Sequence, residues 1–178
     1  MSKIVIYIAM SLDGYIADKT GAVDWLEGDG SDKANCGSYP EFIETVDAVI
    51  LGYNTYNQIV TDLSPDIWPY NGKETYVLTH RDCANQHGIT FINIKLVDLL
   101  LKLKDKQKKS IWICGGASIV NHVLQAHTVD EITVSVMPVL LGGGIKLFDE
   151  SGLGQRLKLI STRSYNGVID LTYQMRVE

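Results

Sequence analysis

Short apolar runs rich in β-branched residues recur along the chain, each bounded by turn residues, and they predict strands at Ile4–Ala9, Ala48–Leu51, Thr75–Leu78, Thr90–Ile92 and Ile111–Cys114. These runs are apolar at every position, as suits parallel strands covered on both faces. Between them the spacing changes to a helical one, over Tyr39–Val46, Tyr53–Val60, Leu96–Leu103 and Ser118–Ala126. The last of these puts Ile119, Val120, Val123 and Leu124 on one face, with Ser118 as N-cap. The pattern then turns to strands alone: Glu131–Met137, followed by Leu157–Tyr165 and Val168–Val177 on either side of Asn166-Gly167, a two-residue hairpin signal. Alternating β and α that gives way to an antiparallel ribbon predicts an α/β fold with a mixed, mostly parallel sheet of about eight strands. With no repeat and no linker, residues 1–178 read as one domain.

Composition narrows the function. The chain has 178 residues, 46% apolar and 21% charged, as expected of a globular protein. A net charge of −5 argues against a nucleic-acid partner, and the basic run Lys102–Lys109 reads as the solvated end of a helix. Cys36, Cys83 and Cys114 form no CxxC pair, a pattern of reducing compartments. No run is long enough to span a membrane, and the opening MSKIVIYIAM lacks a cleavage site and reads as the first strand. A cytoplasmic location is expected. The histidines at 80, 87, 122 and 127 have no ligand spacing, so no metal site is expected.

Candidate chemistry gathers at strand ends. In an open parallel sheet, ligands bind beyond the carboxyl ends of the strands. Cys114-Gly115-Gly116-Ala117-Ser118 is one such end and leads straight into a helix. Bare amides at a helix N-terminus suit a phosphate; the same glycines would also serve a tight turn that binds nothing. Gly52-Tyr53-Asn54-Thr55 repeats the arrangement, with the Thr55 hydroxyl as phosphate donor or first-turn cap. Thr79-His80-Arg81 supplies a hydroxyl and a cation; Arg81 could fork onto a ribose 2′-phosphate or stay a solvated loop residue. The three ends together outline a dinucleotide groove, although no GxGxxG is present.

These ends, together with Ser11-Leu12-Asp13-Gly14-Tyr15-Ile16-Ala17 and the glycine loop Pro138–Phe148 (PVLLGGGIKLF), resemble the dihydrofolate-reductase-like superfamily over essentially the whole chain. Within it, the sequence is most similar to the bacterial branch grouped with the reductase domain of the riboflavin-biosynthesis deaminase–reductase. The resemblance implies a three-layer αβα fold, NADPH as cofactor and hydride transfer to a pteridine- or pyrimidine-like small molecule. It implies that Gly52, Thr55, Thr79, Arg81, Gly115, Gly116, Ala117 and Ser118 hold the pyrophosphate and adenosine half, and that Ala9, Ser11 and Ile16 border the nicotinamide. It also implies a homodimer, for which the apolar C-terminal ribbon could supply the interface. Two positions depart from the pattern. Tyr53 stands where many relatives have an arginine, and the acid expected on the helix after the lid falls near Cys36, leaving Asp29, Asp32 or Glu41 as substitutes.

Three residues are candidates for the chemical step. Trp25, among turn residues, suits a lid that excludes water from hydride transfer, or else pins a surface loop. Asp13 is the acid nearest the nicotinamide strand, yet Asp-Gly is equally a turn signal. Asp24 adjoins Trp25 in the lid. The zinc-deaminase pattern of H-x-E with P-C-x-x-C is absent from the sequence. The principal expectation is therefore a reductase, and the alternative is an NADP(H)-binding module without turnover.

Overall fold

The computed structural model describes residues 2–150 and 154–176. Eight strands form one sheet: β1 (Ile4–Ser11), β3 (Val46–Gly52), β4 (Glu74–Leu78), β5 (Ile89–Ile92), β6 (Ser110–Gly115), β7 (Glu131–Met137), β9 (Leu157–Tyr165) and β10 (Val168–Met175). Their spatial order is β5-β4-β3-β6-β1-β7-β10-β9. The pairings from β5 across to β7 are parallel, and β10 and β9 add antiparallel at one edge. Two short strands, β2 (Tyr15–Ala17) and β8 (Ile145–Lys146), pair apart from the main sheet. The helices are α1 (Tyr39–Glu44), α2 (Tyr53–Gln58), α3 (Leu96–Lys106) and α4 (Ala117–Gln125).

The alternation along each parallel strand divides the core between the two faces. Ile4, Ile6, Ile50, Ile111 and Ile113 meet Leu99 and Leu100 of α3 and Val120 and Val123 of α4 on one face. Val5, Tyr7, Val49, Leu51 and Trp112 face the other way, against Tyr56 of α2 and Phe42 of α1. Side chains that are apolar on both sides of a strand are stable only in such a three-layer arrangement, where each fully buried one contributes about 1.5–3 kcal/mol. The Asn-Gly turn is as expected: Asn166 and Gly167 take φ of 44° and 76°, the left-handed pair that a two-residue hairpin requires.

Three boundaries differ from the sequence reading. The helix expected over Tyr39–Val46 ends at Glu44, because Val46 is drawn into the sheet opposite Ser110. The α-helix expected over Tyr53–Val60 ends at Gln58, and Ile59–Leu63 widens into a π-turn closed by the Ser64 amide on the Ile59 carbonyl at 2.8 Å. Ser118 is not the N-cap of α4: the chain already turns at Gly115, whose φ of +128° favours glycine, and Gly116 becomes the cap. The Val177 end of the last expected strand lies outside the described residues. The basic run behaves as the solvated end of α3, with Lys106 paired to Glu74 at 2.7 Å. No helix among the described residues is long and apolar enough to cross a membrane, and among them no group of His, Cys, Asp and Glu could hold a metal ion.

Candidate active site

Three parallel strands end side by side. Leu51 of β3 lies opposite Gly115 of β6, and Gly52 lies opposite Leu78 of β4. The Gly115–Gly116 peptide is cis. No side chain caps α4, and its first internal bonds are those from the amides of Ile119 and Val120 to the Gly116 carbonyl, at 3.0 and 3.1 Å. The amides of Ala117 and Ser118 therefore point out of the helix at the positive end of its dipole. A Cβ added to Gly116 would stand 3.4 Å from Thr55 Oγ1, and one added to Gly52 would stand 3.5 Å from Ile119 Cγ1. The ends of β3 and β6 thus make one bare cradle with a hydroxyl at its wall. Outward amides, a hydroxyl and no opposing side chain fit the pyrophosphate of a dinucleotide.

The end of β4 completes the row. The Thr79 amide bonds the Ile92 carbonyl at 3.0 Å, and Thr79 Oγ1 accepts the Arg81 amide at 3.0 Å. Arg81 Cζ lies 4.6 Å from the centroid of the Tyr53 ring. The tyrosine that replaces an expected arginine is thus the platform for an arginine supplied by the neighbouring strand. Stacking holds the guanidinium in place while leaving its fork exposed.

On β1, Ala9 is half-buried, and Ile16 of β2, like Ile8 and Met10 of β1, packs against the core. Ser11 is fully buried, and its hydroxyl donates to Asp13 Oδ1 at 2.6 Å while accepting the Tyr15 amide at 2.9 Å. Asp13 in turn accepts the amides of Leu141 at 3.1 Å and Gly142 at 2.7 Å. The hydrogen bond from Ser11 above all, and those from the two amides, hold this exposed carboxyl below its ordinary range. It stays ionised at neutral pH, where it clasps the glycine loop rather than supplying a proton. A carboxyl lowered by folding stabilises fully above its unfolded value of 3.8 and loses that contribution as pH falls below it. The Leu141 and Gly142 amide resonances are accordingly expected to titrate together with a midpoint below 3.8, and Asp13→Asn is expected to abolish that titration; NMR checks both.

Between β1 and the helices lies an aromatic floor. Trp112 donates to the Tyr7 carbonyl at 3.0 Å and meets Tyr39, Phe42 and Tyr70 edge-on. The Tyr70 hydroxyl sits 3.4 Å from Cys114 Sγ. Burial raises the phenols of Tyr7, Tyr39 and Tyr70 and pushes the Cys114 thiol up to about 11. This lining is neutral at physiological pH.

The residues expected in a lid are spread more widely. Trp25 is half-buried, with Nε1 donating to the Ala22 carbonyl at 3.2 Å, and Asp24 is exposed. Gln58 of α2 holds the Gly21 carbonyl at 2.8 Å. The suggested substitute acids all lie at the surface: Asp29 caps the Ser31 amide, Asp32 accepts from Asn35, and Glu41 pairs with Arg163 at 3.2 Å. Among the described residues the buried acid is one that no sequence motif pointed to, Asp170 of β10. Its signal was present in Val168-Ile169-Asp170, where alternation sets a charge on the same face as a buried valine. A cavity of about 540 Å³ lies elsewhere, near Ile4, Leu100, Lys104 and Asp130, at the amino ends of the strands and away from the glycine cradle.

A profile of the RibD C-terminal domain matches residues 57–171, from α2 through β10. The chain belongs to that family. The riboflavin biosynthesis protein RibD of Escherichia coli is 40% identical over 50 residues, covering 28% of this chain and 14% of that protein. The YwjB protein of Bacillus subtilis, itself uncharacterized, is 39% identical over 175 residues, covering 96% of this chain and 97% of that protein. A crystal structure from Shewanella sp. PV-4, described as a riboflavin biosynthesis protein, superposes with a TM-score of 0.84 at 30% identity, covering 99% of this chain and all of that one (100%). Dihydrofolate reductase from Enterococcus faecalis, solved with NADP(H), shares the fold at 16% identity with a TM-score of 0.67, covering 98% of this chain and 97% of that one. The family hit and these neighbours agree with the expected α/β fold of dihydrofolate-reductase type.

Proposed function

We propose that the protein is an NADPH-dependent reductase that passes a hydride to a pteridine- or pyrimidine-like small molecule, acting as a single cytoplasmic domain. The observation that carries this reading is the convergence of the bare Gly115-Gly116 turn, the Thr55 hydroxyl and the Tyr53-stacked Arg81 at three adjoining strand ends. Gly52, Thr55 and the amides of Ala117 and Ser118 hold the pyrophosphate; Thr79 and Arg81 take the ribose 2′-phosphate. Ala9 and Ile16, with Ser11 buried beside them, would border the nicotinamide, which would supply the reactive C–H bond, and the protein's part is to position it. Asp13 keeps the glycine loop against β1, so that the floor under the ring is fixed. Trp25 and Asp24 belong to the segment that closes over the site and excludes water. With Asp13 ionised, the proton that accompanies hydride comes from water. Leu159 and Ile160, exposed on the free outer edge of β9, support a homodimer through the C-terminal ribbon.

The commitment of Asp13 to the loop favours a second reading, an NADP(H)-binding module without turnover. Oxidation of NADPH in the presence of dihydrofolate or 5-amino-6-(5-phosphoribosylamino)uracil separates the two. Substrate-dependent oxidation is the expected result; cofactor binding with no oxidation would favour the module.

A further inference from the structure

The sheet face that carries α1 and α2 changes character at β1. From β4 to β6 it is apolar and aromatic, whereas from β7 to β10 it presents Thr133, Ser135, Asp170 and Thr172. Strand register arranges these in rows. Ala9, Ser135 and Asp170 are direct neighbours across β1, β7 and β10. Asp170 therefore stands two strands, about 10 Å, from the backbone position proposed to border the nicotinamide. Tyr7 lies one alternation earlier on the same face of β1.

Asp170 is only 2% exposed. Its Oδ1 accepts from Ser135 Oγ at 2.6 Å and from the Tyr165 hydroxyl at 3.1 Å. Its Oδ2 accepts from the Ser38 hydroxyl, from the Ser38 amide at 3.4 Å and from the Tyr7 hydroxyl at 3.4 Å. Arg163, its register partner on β9, directs its guanidinium away to Glu41. A buried carboxylate bonded only by hydroxyls and an amide is costly, and a threonine or valine would fill the space with less desolvation. What the carboxylate does is join three separate parts of the chain. Tyr7 belongs to the hydride-side strand. Ser38 ends the segment that follows Trp25 in the lid. Ser135 and Tyr165 belong to the C-terminal half of the sheet.

The same segment is fastened at its other end by the hairpin. The Asn166 carbonyl accepts the Asp29 amide at 2.9 Å, and Asn166 Oδ1 accepts the amides of Gly30 and Asp32 at 3.0 and 3.1 Å. Gly37 lies so close to the Tyr165 ring that an added Cβ would fall 2.1 Å from Cζ. Residues 28–38 thus lie along the β9–β10 turn and finish on Asp170.

We propose that Asp170 is a positioning residue for the reduction: it fixes the Tyr7 hydroxyl and the Ser38 end of the lid segment together, so that the substrate half of the groove is assembled around one buried carboxylate. The cofactor half, at the ends of β3, β4 and β6, lies on the far side of β1 and shares none of these bonds. The inference rests on the reductase reading and separates the two halves experimentally.

The test compares wild type, Asp170→Asn, Ser38→Ala, Tyr7→Phe and the Asp170→Asn/Tyr7→Phe pair. NADPH affinity is read by titration and kcat/KM with the probe, dihydrofolate or 5-amino-6-(5-phosphoribosylamino)uracil, that wild type reduces. Expected is NADPH affinity within about twofold of wild type in every variant, with kcat/KM reduced about tenfold or more in Asp170→Asn, mainly through KM. The double variant is expected to be no worse than Asp170→Asn alone, since the carboxylate acts through the phenol it holds. Ser38→Ala, which leaves the sheet intact, is expected to raise KM even if Asp170→Asn fails to fold. Wild-type kcat/KM in Ser38→Ala or in folded Asp170→Asn overturns the proposal, as do losses that multiply in the double variant. If wild type binds NADPH and reduces neither probe, the reductase reading fails and the inference falls with it.

Discussion

Replacing Arg81 with alanine is expected to weaken NADPH binding by about ten- to a hundredfold, roughly 1.4–2.8 kcal/mol, and to leave NADH binding unchanged. The guanidinium is the cation that ends the row of phosphate-facing groups, stacked 4.6 Å over Tyr53. Stacking limits the rotamers it must give up on binding, so the fork meets the 2′-phosphate at lower entropic cost. Arg81→Lys keeps the charge and loses both fork and stack, so an intermediate affinity is expected. Tyr53→Ala removes the platform, worth about 0.5–1 kcal/mol of binding at an exposed site, together with the ring's contact with Tyr56. Parallel titrations with the two nucleotides check this series. An equal fall for NADPH and NADH would remove Arg81 from the 2′-phosphate and leave it a general contributor.

Gly144→Ala is expected to be the most damaging single methyl group in the glycine loop. Gly144 has φ of +142°, and an added Cβ would lie 2.1 Å from the Ala17 carbonyl oxygen and 3.0 Å from Asp18 Cα. Both neighbours are backbone, Ala17 within the β2–β8 pairing and Asp18 directly after it, so neither can give way without releasing the loop from the Ser11–Ala17 segment. A loss of about 2–4 kcal/mol in stability is expected, together with loss of substrate turnover. Gly142→Ala is the internal control. Its φ of +66° also favours glycine, yet nothing lies within 4 Å of the added carbon, so a cost of about 1–2 kcal/mol is expected. Denaturant melts of the two variants measure the difference. Equal costs would show that backbone conformation, rather than the contact with Ala17, decides the effect.

Much of this architecture could be read from the chain because local and global preferences agree. The doubly apolar runs at Ala48–Leu51 and Ile111–Cys114 can only be interior parallel strands, and Asn166-Gly167 can only be a tight hairpin. The boundaries that moved did so where tertiary pairing outweighed local pattern. Val46 fits the end of a helix by spacing, but it is buried in the sheet beside Ala48. The β2–β8 pair escaped notice because strands of three and two residues, the second in a glycine loop, have no periodicity to detect. The strand-end cradle was legible in the same way, since glycines at strand ends mark a bare backbone whatever lies around them. The network around Asp170 was not. Its residues come from β1, β7, β9, β10 and Ser38, far apart in sequence, and only the register across three strands brings Ala9, Ser135 and Asp170 into one row. Asp13 shows the same dependence on distant partners. It stands where an acid would be sought, but its partners, the amides of Leu141 and Gly142, lie more than a hundred residues away.

The account stands or falls on the cradle formed by the ends of β3, β4 and β6. The measurement that tests it most directly is a titration of the purified wild-type protein with NADPH and with NADH, followed by quenching of tryptophan fluorescence. Saturable binding of one NADPH per chain, tighter than NADH, is the expected result. Absence of saturable binding by either nucleotide would contradict the pyrophosphate reading of Gly115-Gly116 and Thr55, and the proposed reductase with it.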